Sequence, residues 1–139
     1  MSRRATPYRL VPPVVPEADF QKQLNRMLTL EIAPPGKVSA EGVCWFSISQ
    51  ENYAGEVPGI RVGRGLVAGV FDVLVLHQGR AGWIELKTSH GTVSDPQRSM
   101  AAALLLSGCR IAVASEAEHV LAALDTWGIP RRKRVRVAA

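Results

Sequence analysis

The sequence predicts an α/β fold, a mixed sheet flanked by helices in the order α-β-β-β-α-β-α. Three observations carry this. Apolar residues recur at Phe20, Leu24, Met27, Leu28 and Ile32, the stripe of an amphipathic helix. Two short runs rich in branched residues flank His77-Gln78-Gly79-Arg80, a hairpin pattern. A helix, a short strand and a last helix then follow, which completes a mixed sheet with helices packed on it.

Each element has a local cause. Pro16 precedes a helix over 17–31, and Ala33-Pro-Pro-Gly36 stops it, because proline removes a donor and clashes with the preceding turn. Val43–Ile48 is rich in aromatic and branched residues and reads as a strand. Ser49–Gly69 is polar and glycine-rich, long for a structureless connection, and such loops are usually functional. Val70–Leu76 and Ala81–Lys87 are strands joined by a turn in which Gly79 supplies positive φ. A helix from Gln97 ends at Gly108, a C-terminal cap. A short strand covers Ile111–Ala114. Ser115 then caps a last helix through Leu124, with Glu118 completing an S-x-x-E box.

At 139 residues one domain is expected. It spans 17–130, between a Pro- and Arg-containing arm (1–16) and a basic tail (131–139). No apolar run reaches membrane-spanning length and the N-terminus lacks the apolar centre of a signal peptide, so a cytoplasmic protein is expected. Cys44 and Cys109 are read as free, buried thiols, and the three histidines have no zinc-ligand spacing. The net charge is +5, which permits a polyanionic partner. Arg131, Arg132, Lys133 and Arg134 crowd the tail, and Arg61 and Arg64 lie in the glycine-rich loop. Gly63-Arg-Gly-Leu-Val-Ala-Gly69 invites a nucleotide-binding reading. A strand follows it, where a phosphate-binding fingerprint needs a helix, so no nucleotide cofactor is expected. A flap over a nucleic-acid groove fits better.

The chemistry lies in Gly69-Val-Phe-Asp72 and Trp83-Ile-Glu85-Leu-Lys87. Residues two apart on a strand share a face, so Glu85 and Lys87 point together, away from Ile84 and Leu86. Counting outward from Gln78 and Gly79 puts Asp72 roughly opposite Glu85. Two adjacent carboxylates repel, and one pKa rises unless a cation separates them. Oxygen ligands favour a hard ion, Mg²⁺ or Mn²⁺. Lys87 beside such an ion would orient or help deprotonate a water for attack on phosphorus. The alternative from spacing alone is a solvated surface pair.

The order Asp72…Glu85-Leu-Lys87 resembles the PD-(D/E)xK nuclease signature. With Gly69-Val-Phe-Asp72, Trp83-Ile-Glu-Leu-Lys-Thr88, Gly91-Thr-Val-Ser-Asp-Pro-Gln97 and Gly108-Cys-Arg-Ile-Ala-Val113, the chain is similar to the VRR-NUC branch over Glu17 to about Ile129. The resemblance implies a restriction-endonuclease-like core and metal-dependent cleavage of DNA to 5′-phosphate and 3′-hydroxyl ends. It implies a homodimer acting on branched substrates such as four-way junctions. Asp72, Glu85, Lys87 and Gln97 would be catalytic. Glu17 (with Gln21 four residues on), Asp72, Glu85 and the Leu86 carbonyl would face the metal, Asp19 being a competitor of Glu17. Arg61, Arg64, His90 and the tail residues Arg131, Arg132, Lys133 and Arg134 would contact DNA. Gln97 also fits an S-x-x-Q capping box with Ser94, compatible with a second role at the metal-bound water or phosphate. The family's usual proline before the aspartate is Phe71 here. A nucleic-acid-binding module that does not cut is the other functional reading.

Overall fold

The computed structural model describes residues 17–48, 65–88 and 91–132. The arm, most of the glycine-rich loop with Arg61 and Arg64, His90, and the tail from Lys133 lie outside the described residues, as does the Glu17 side chain. The described elements are α1 (Glu17–Glu31), β1 (Val43–Ser47), β2 (Val73–His77), β3 (Arg80–Leu86), α2 (Asp95–Leu106), β4 (Arg110–Ala114) and α3 (Ala117–Thr126). The expected order α-β-β-β-α-β-α is therefore present.

The sheet runs β1-β2-β3-β4. β1 and β2 are antiparallel, as are β2 and β3, whereas β4 is parallel to β3. The parallel pair needs a crossover, and α2 supplies it. At the hairpin, Gln78 and Gly79 have φ of 52° and 73°. Two positive φ values mark a type I′ turn, whose twist matches that of paired strands. Gln78 shares the left-handed conformation expected of Gly79 alone.

One face of the sheet carries the core. Val43 and Trp45, Val73 and Val75, Ile84 and Leu86, and Ala114 alternate onto it, all buried. Phe20, Leu24, Leu28 and Ile32 of α1 and Val120 and Leu124 of α3 pack against them. The Trp45 indole N–H donates to the Ala33 carbonyl at 2.7 Å, which ties the end of α1 to β1. The opposite face bears Cys44, Phe46, Leu74, Leu76 and Trp83, all half-buried. α2 lies over its β4 side. Cys44 and Cys109 are free as expected, but half-buried rather than fully buried.

Two expectations are corrected. β2 begins at Val73 rather than Val70, because Gly69 turns the chain at φ +85° and Asp72 spends its side chain on the neighbouring strand. The last helix has Glu116 at its N-cap with no side-chain cap bond, so the Ser115–Glu118 box does not form. The start one residue later puts His119 at the third helical position, and its Nδ1 accepts the Ser115 N–H at 3.1 Å. α2 starts at Asp95, two residues before the expected Gln97, and both of its expected caps form. Ser94 and Gln97 form a reciprocal capping box. Past Leu106, the Cys109 N–H reaches the Leu104 carbonyl at 2.9 Å and the Gly108 N–H reaches Leu105 at 3.0 Å, a Schellman closure. No helix among the described residues is long and apolar enough to cross a membrane.

Gly82 sits under the Trp127 indole, and a Cβ there would fall 2.7 Å from Trp127 Cε3. Overpacking of this kind costs about 1–3 kcal/mol. Gly82→Ala should lower the urea midpoint accordingly at unchanged m-value. An unchanged midpoint would show that the indole yields freely.

Candidate active site at the end of the hairpin

The two-residue turn sets the pairing. His77 faces Arg80, Val75 faces Gly82 and Val73 faces Ile84. One step further lies Asp72 across from Glu85, as the residue count anticipated. The alternation of antiparallel bonds would next join the Leu86 N–H to the Phe71 carbonyl. Instead the Leu86 N–H donates to Asp72 Oδ2 at 2.8 Å, while the Asp72 carbonyl accepts the Ile48 N–H at 2.7 Å. The aspartate is thus held by backbone on both sides. In an extended strand the N–H and C=O of one residue point to the same edge, so the Leu86 carbonyl also faces β2.

Glu85 is the one charged residue buried among the described residues, at 3% exposure. Its Oε1 accepts from Gln97 Nε2 and lies 3.5 Å from Lys87 Nζ. Its Oε2 is buried with no hydrogen-bond partner among the described residues. Burial, reinforced by the neighbouring Asp72 charge and opposed by Lys87, raises its pKa from 4.5 to about 7. Orphaned buried acceptors cost roughly 1–3 kcal/mol, so Oε2 is the oxygen of the cluster that a donor or a cation would stabilise most.

Gln97 reaches this carboxylate because the α2 capping box orients it. Its Oε1 accepts the Ser94 N–H at 3.0 Å and its own N–H donates to Ser94 Oγ at 3.3 Å. That leaves Nε2 free to turn toward Glu85, so capping and site contact coexist in one side chain.

The structure therefore brings Asp72, Glu85, Lys87 and Gln97 together. Among the described residues no group of three or more His, Cys, Asp or Glu is placed to hold a metal ion; the described carboxylates here are two. Asp19 is exposed on α1. Arg131 is engaged by acids, at 3.7 Å from Glu31 and 3.3 Å from Asp125, and the Arg132 N–H bonds the Glu31 carbonyl. The tail thus leaves from the far end of α1, about 21 Å along the helix from Glu17. Beside the cluster, a groove of about 650 Å³ runs between α2 and the sheet, lined by Phe71, Val93, Arg98, Leu105 and Val113 among others.

Sequence reasoning takes Gly69 as the first residue of the Gly-Val-Phe-Asp motif and as one glycine of a long loop, without giving it a role. Its φ of +85° and its approach to the backbone of Pro96 and Gln97 tie the Asp72 segment to α2. Its position three residues before an acid was the available signal. No family model, curated protein or solved structure matches this chain.

The raised Glu85 pKa gives folding a definite pH dependence. The folded chain binds this proton more tightly than the unfolded one. The stabilisation is complete below about pH 4.5 and is lost as pH rises through about 7. In metal-free buffer, wild type should lose about 2–3 kcal/mol relative to Glu85→Gln between pH 5 and pH 8. Urea denaturation at both pH values checks this, and a pH-independent difference would refute it.

Proposed function

We propose that this chain is a metal-dependent endodeoxyribonuclease of the VRR-NUC type, hydrolysing phosphodiester bonds in branched DNA. The observation that carries the reading is the buried Glu85 carboxylate. It has Asp72 across the ladder, Lys87 Nζ at 3.5 Å, Gln97 on its Oε1 and an unpartnered Oε2.

The donor set suits a hard divalent cation. Asp72, Glu85 Oε2 and the Leu86 carbonyl would hold it, with Glu17 contributing from α1. Mg²⁺ commonly takes only one or two carboxylates and completes its shell with water and substrate phosphate oxygens. When bound, the cation would supply Lewis-acid stabilisation of charge on the phosphate and a more acidic water.

The chain's own residues do the rest. Asp72 is preorganised by the Leu86 N–H at its Oδ2. Glu85, whose ionisation its burial discourages, would be held ionised with a cation bound. Lys87 keeps an ammonium donor at the edge of the cluster, where it holds the attacking water or a phosphate oxygen. Gln97 fixes the Glu85 rotamer and presents an amide to the same water or phosphate. The homodimer and the preference for four-way junctions rest on the resemblance, and sedimentation of the free and junction-bound protein tests the first.

A non-cutting nucleic-acid-binding module is the competing reading. The basic tail and Phe71 in place of the family's proline favour it. EDTA separates the two.

Labelled four-way junction, flap and duplex DNA incubated in Mg²⁺ or Mn²⁺ should be cut by wild type and left intact in EDTA. Lys87→Ala and Glu85→Gln should each lower the rate by about 10²-fold or more, with binding in EDTA retained. Tight binding without cutting in any metal would establish the module instead. A second expectation concerns protons. Because Glu85 titrates near 7 without metal, Mn²⁺ binding at neutral pH should release a proton. Calorimetry in buffers of different ionisation enthalpy reads it, and Glu85→Gln should abolish it.

A further inference from the structure

Gln97 and Asp72 belong to segments 25 positions apart in sequence, yet both act on Glu85. What holds the two segments in register is the crossing of the Gly69 backbone over the first turn of α2. Gly69 has φ +85°, and a Cβ there would collide with the Pro96 carbonyl group and sit 2.7 Å from the Gln97 nitrogen. These are backbone atoms of a helix start pinned by the Ser94–Gln97 capping box, so they cannot yield as a flexible side chain would. Gly65, in the same loop, has a similar φ of +77° but nothing among the described residues within 4 Å of a Cβ. The two glycines therefore separate strain of the backbone from close approach.

We propose that Gly69 is a positioning residue of the site, its bare Cα letting the first turn of α2 close onto the Asp72 segment so that Gln97 Nε2 reaches Glu85. A methyl group at 69 pushes the α2 start outward. The capping box travels with the helix, so Ser94 and Gln97 stay paired. What breaks is the hydrogen bond from Gln97 to Glu85. Misplacement of a catalytic group by about 1 Å can cost 10²-fold in rate. For its activity readout the inference rests on the nuclease reading; its geometric content does not.

The test compares wild type with Gly69→Ala, Gly65→Ala, Gln97→Ala and the Gly69→Ala/Gln97→Ala double variant. Thermal unfolding by circular dichroism confirms the fold of each. Gly65→Ala should cut within about threefold of wild type, since it carries strain alone. Gly69→Ala should lower kcat about as much as Gln97→Ala at little-changed KM. The double variant should fall no further, because the two changes remove one and the same hydrogen bond. Gly69→Ala activity equal to that of Gly65→Ala would overturn the proposal, as would a double variant whose loss is the product of the single losses.

Should wild type cut nothing, the nuclease reading fails and amide NMR still decides the inference. The Gln97 side-chain resonances should move in Gly69→Ala and in Glu85→Gln but not in Gly65→Ala. Unmoved resonances in Gly69→Ala would refute it. Should Gly69→Ala not fold, Gly69→Asn carries the same comparison, since asparagine tolerates positive φ but bears the Cβ.

Discussion

The register of one antiparallel pair governs everything at the candidate site. A two-residue turn leaves no freedom in how β2 and β3 align, and a slip of one residue would send every side chain to the other face. With His77 across from Arg80, Asp72 must lie beside Glu85, Ile84 and Leu86 must enter the core, and Lys87 must emerge on the face of Glu85. The apolar residues of both strands act against a one-residue slip independently, since it would turn Val73, Val75 and Ile84 away from the core. Core packing and site assembly are consequently one constraint. A variant that disturbs the turn would injure both.

That constraint forces an acid into an apolar setting. Glu85 is buried because its strand lies between β2 and β4 and because the start of α2 covers the face on which it stands, with Gln97 on its carboxylate. Its carboxylate is only half satisfied, with Gln97 and Lys87 on one oxygen and nothing on the other. A fold selected for stability alone would place an apolar residue here, given the cost of an unpaired buried charge. Local conflict of this kind is where function is to be sought. The Asp72 side chain shows the same departure. It takes the Leu86 N–H that a regular ladder would give to the Phe71 carbonyl, which shortens β2 and holds an acid in place.

Much of this was legible in the sequence, for identifiable reasons. The α1 stripe from Phe20 to Ile32 has the helical period, and all its members but Met27 are buried. The His77–Arg80 turn could be counted from, so the Asp72–Glu85 pairing followed. The Ser94–Gln97 box was recognisable from its spacing. The misses have physical causes too. Ser115-Glu-Ala-Glu118 has box spacing, but helix starts shift by a residue at little cost, and His119 then competes for the same N–H. The early end of β2 depends on a side chain replacing a backbone acceptor, which no propensity encodes. Gly69 looked like its loop neighbours because a close approach between distant segments leaves no local mark. The acidic partners of Arg131 are likewise set by the fold, Glu31 lying far away in sequence and Asp125 on the preceding helix.

The two faces of the sheet are held unequally. α1 and α3 lock one face with buried side chains, whereas α2 contributes no buried residue and leaves Leu105 and Leu106 at 56% and 90% exposure. Amide exchange through local opening follows such differences in packing. The carboxylates therefore sit on or next to strands backed by buried side chains, whereas Gln97 sits on a helix that buries none, a difference that amide exchange would read. The site is thus a seam between a strand backed by a packed core and a helix that buries no side chain of its own.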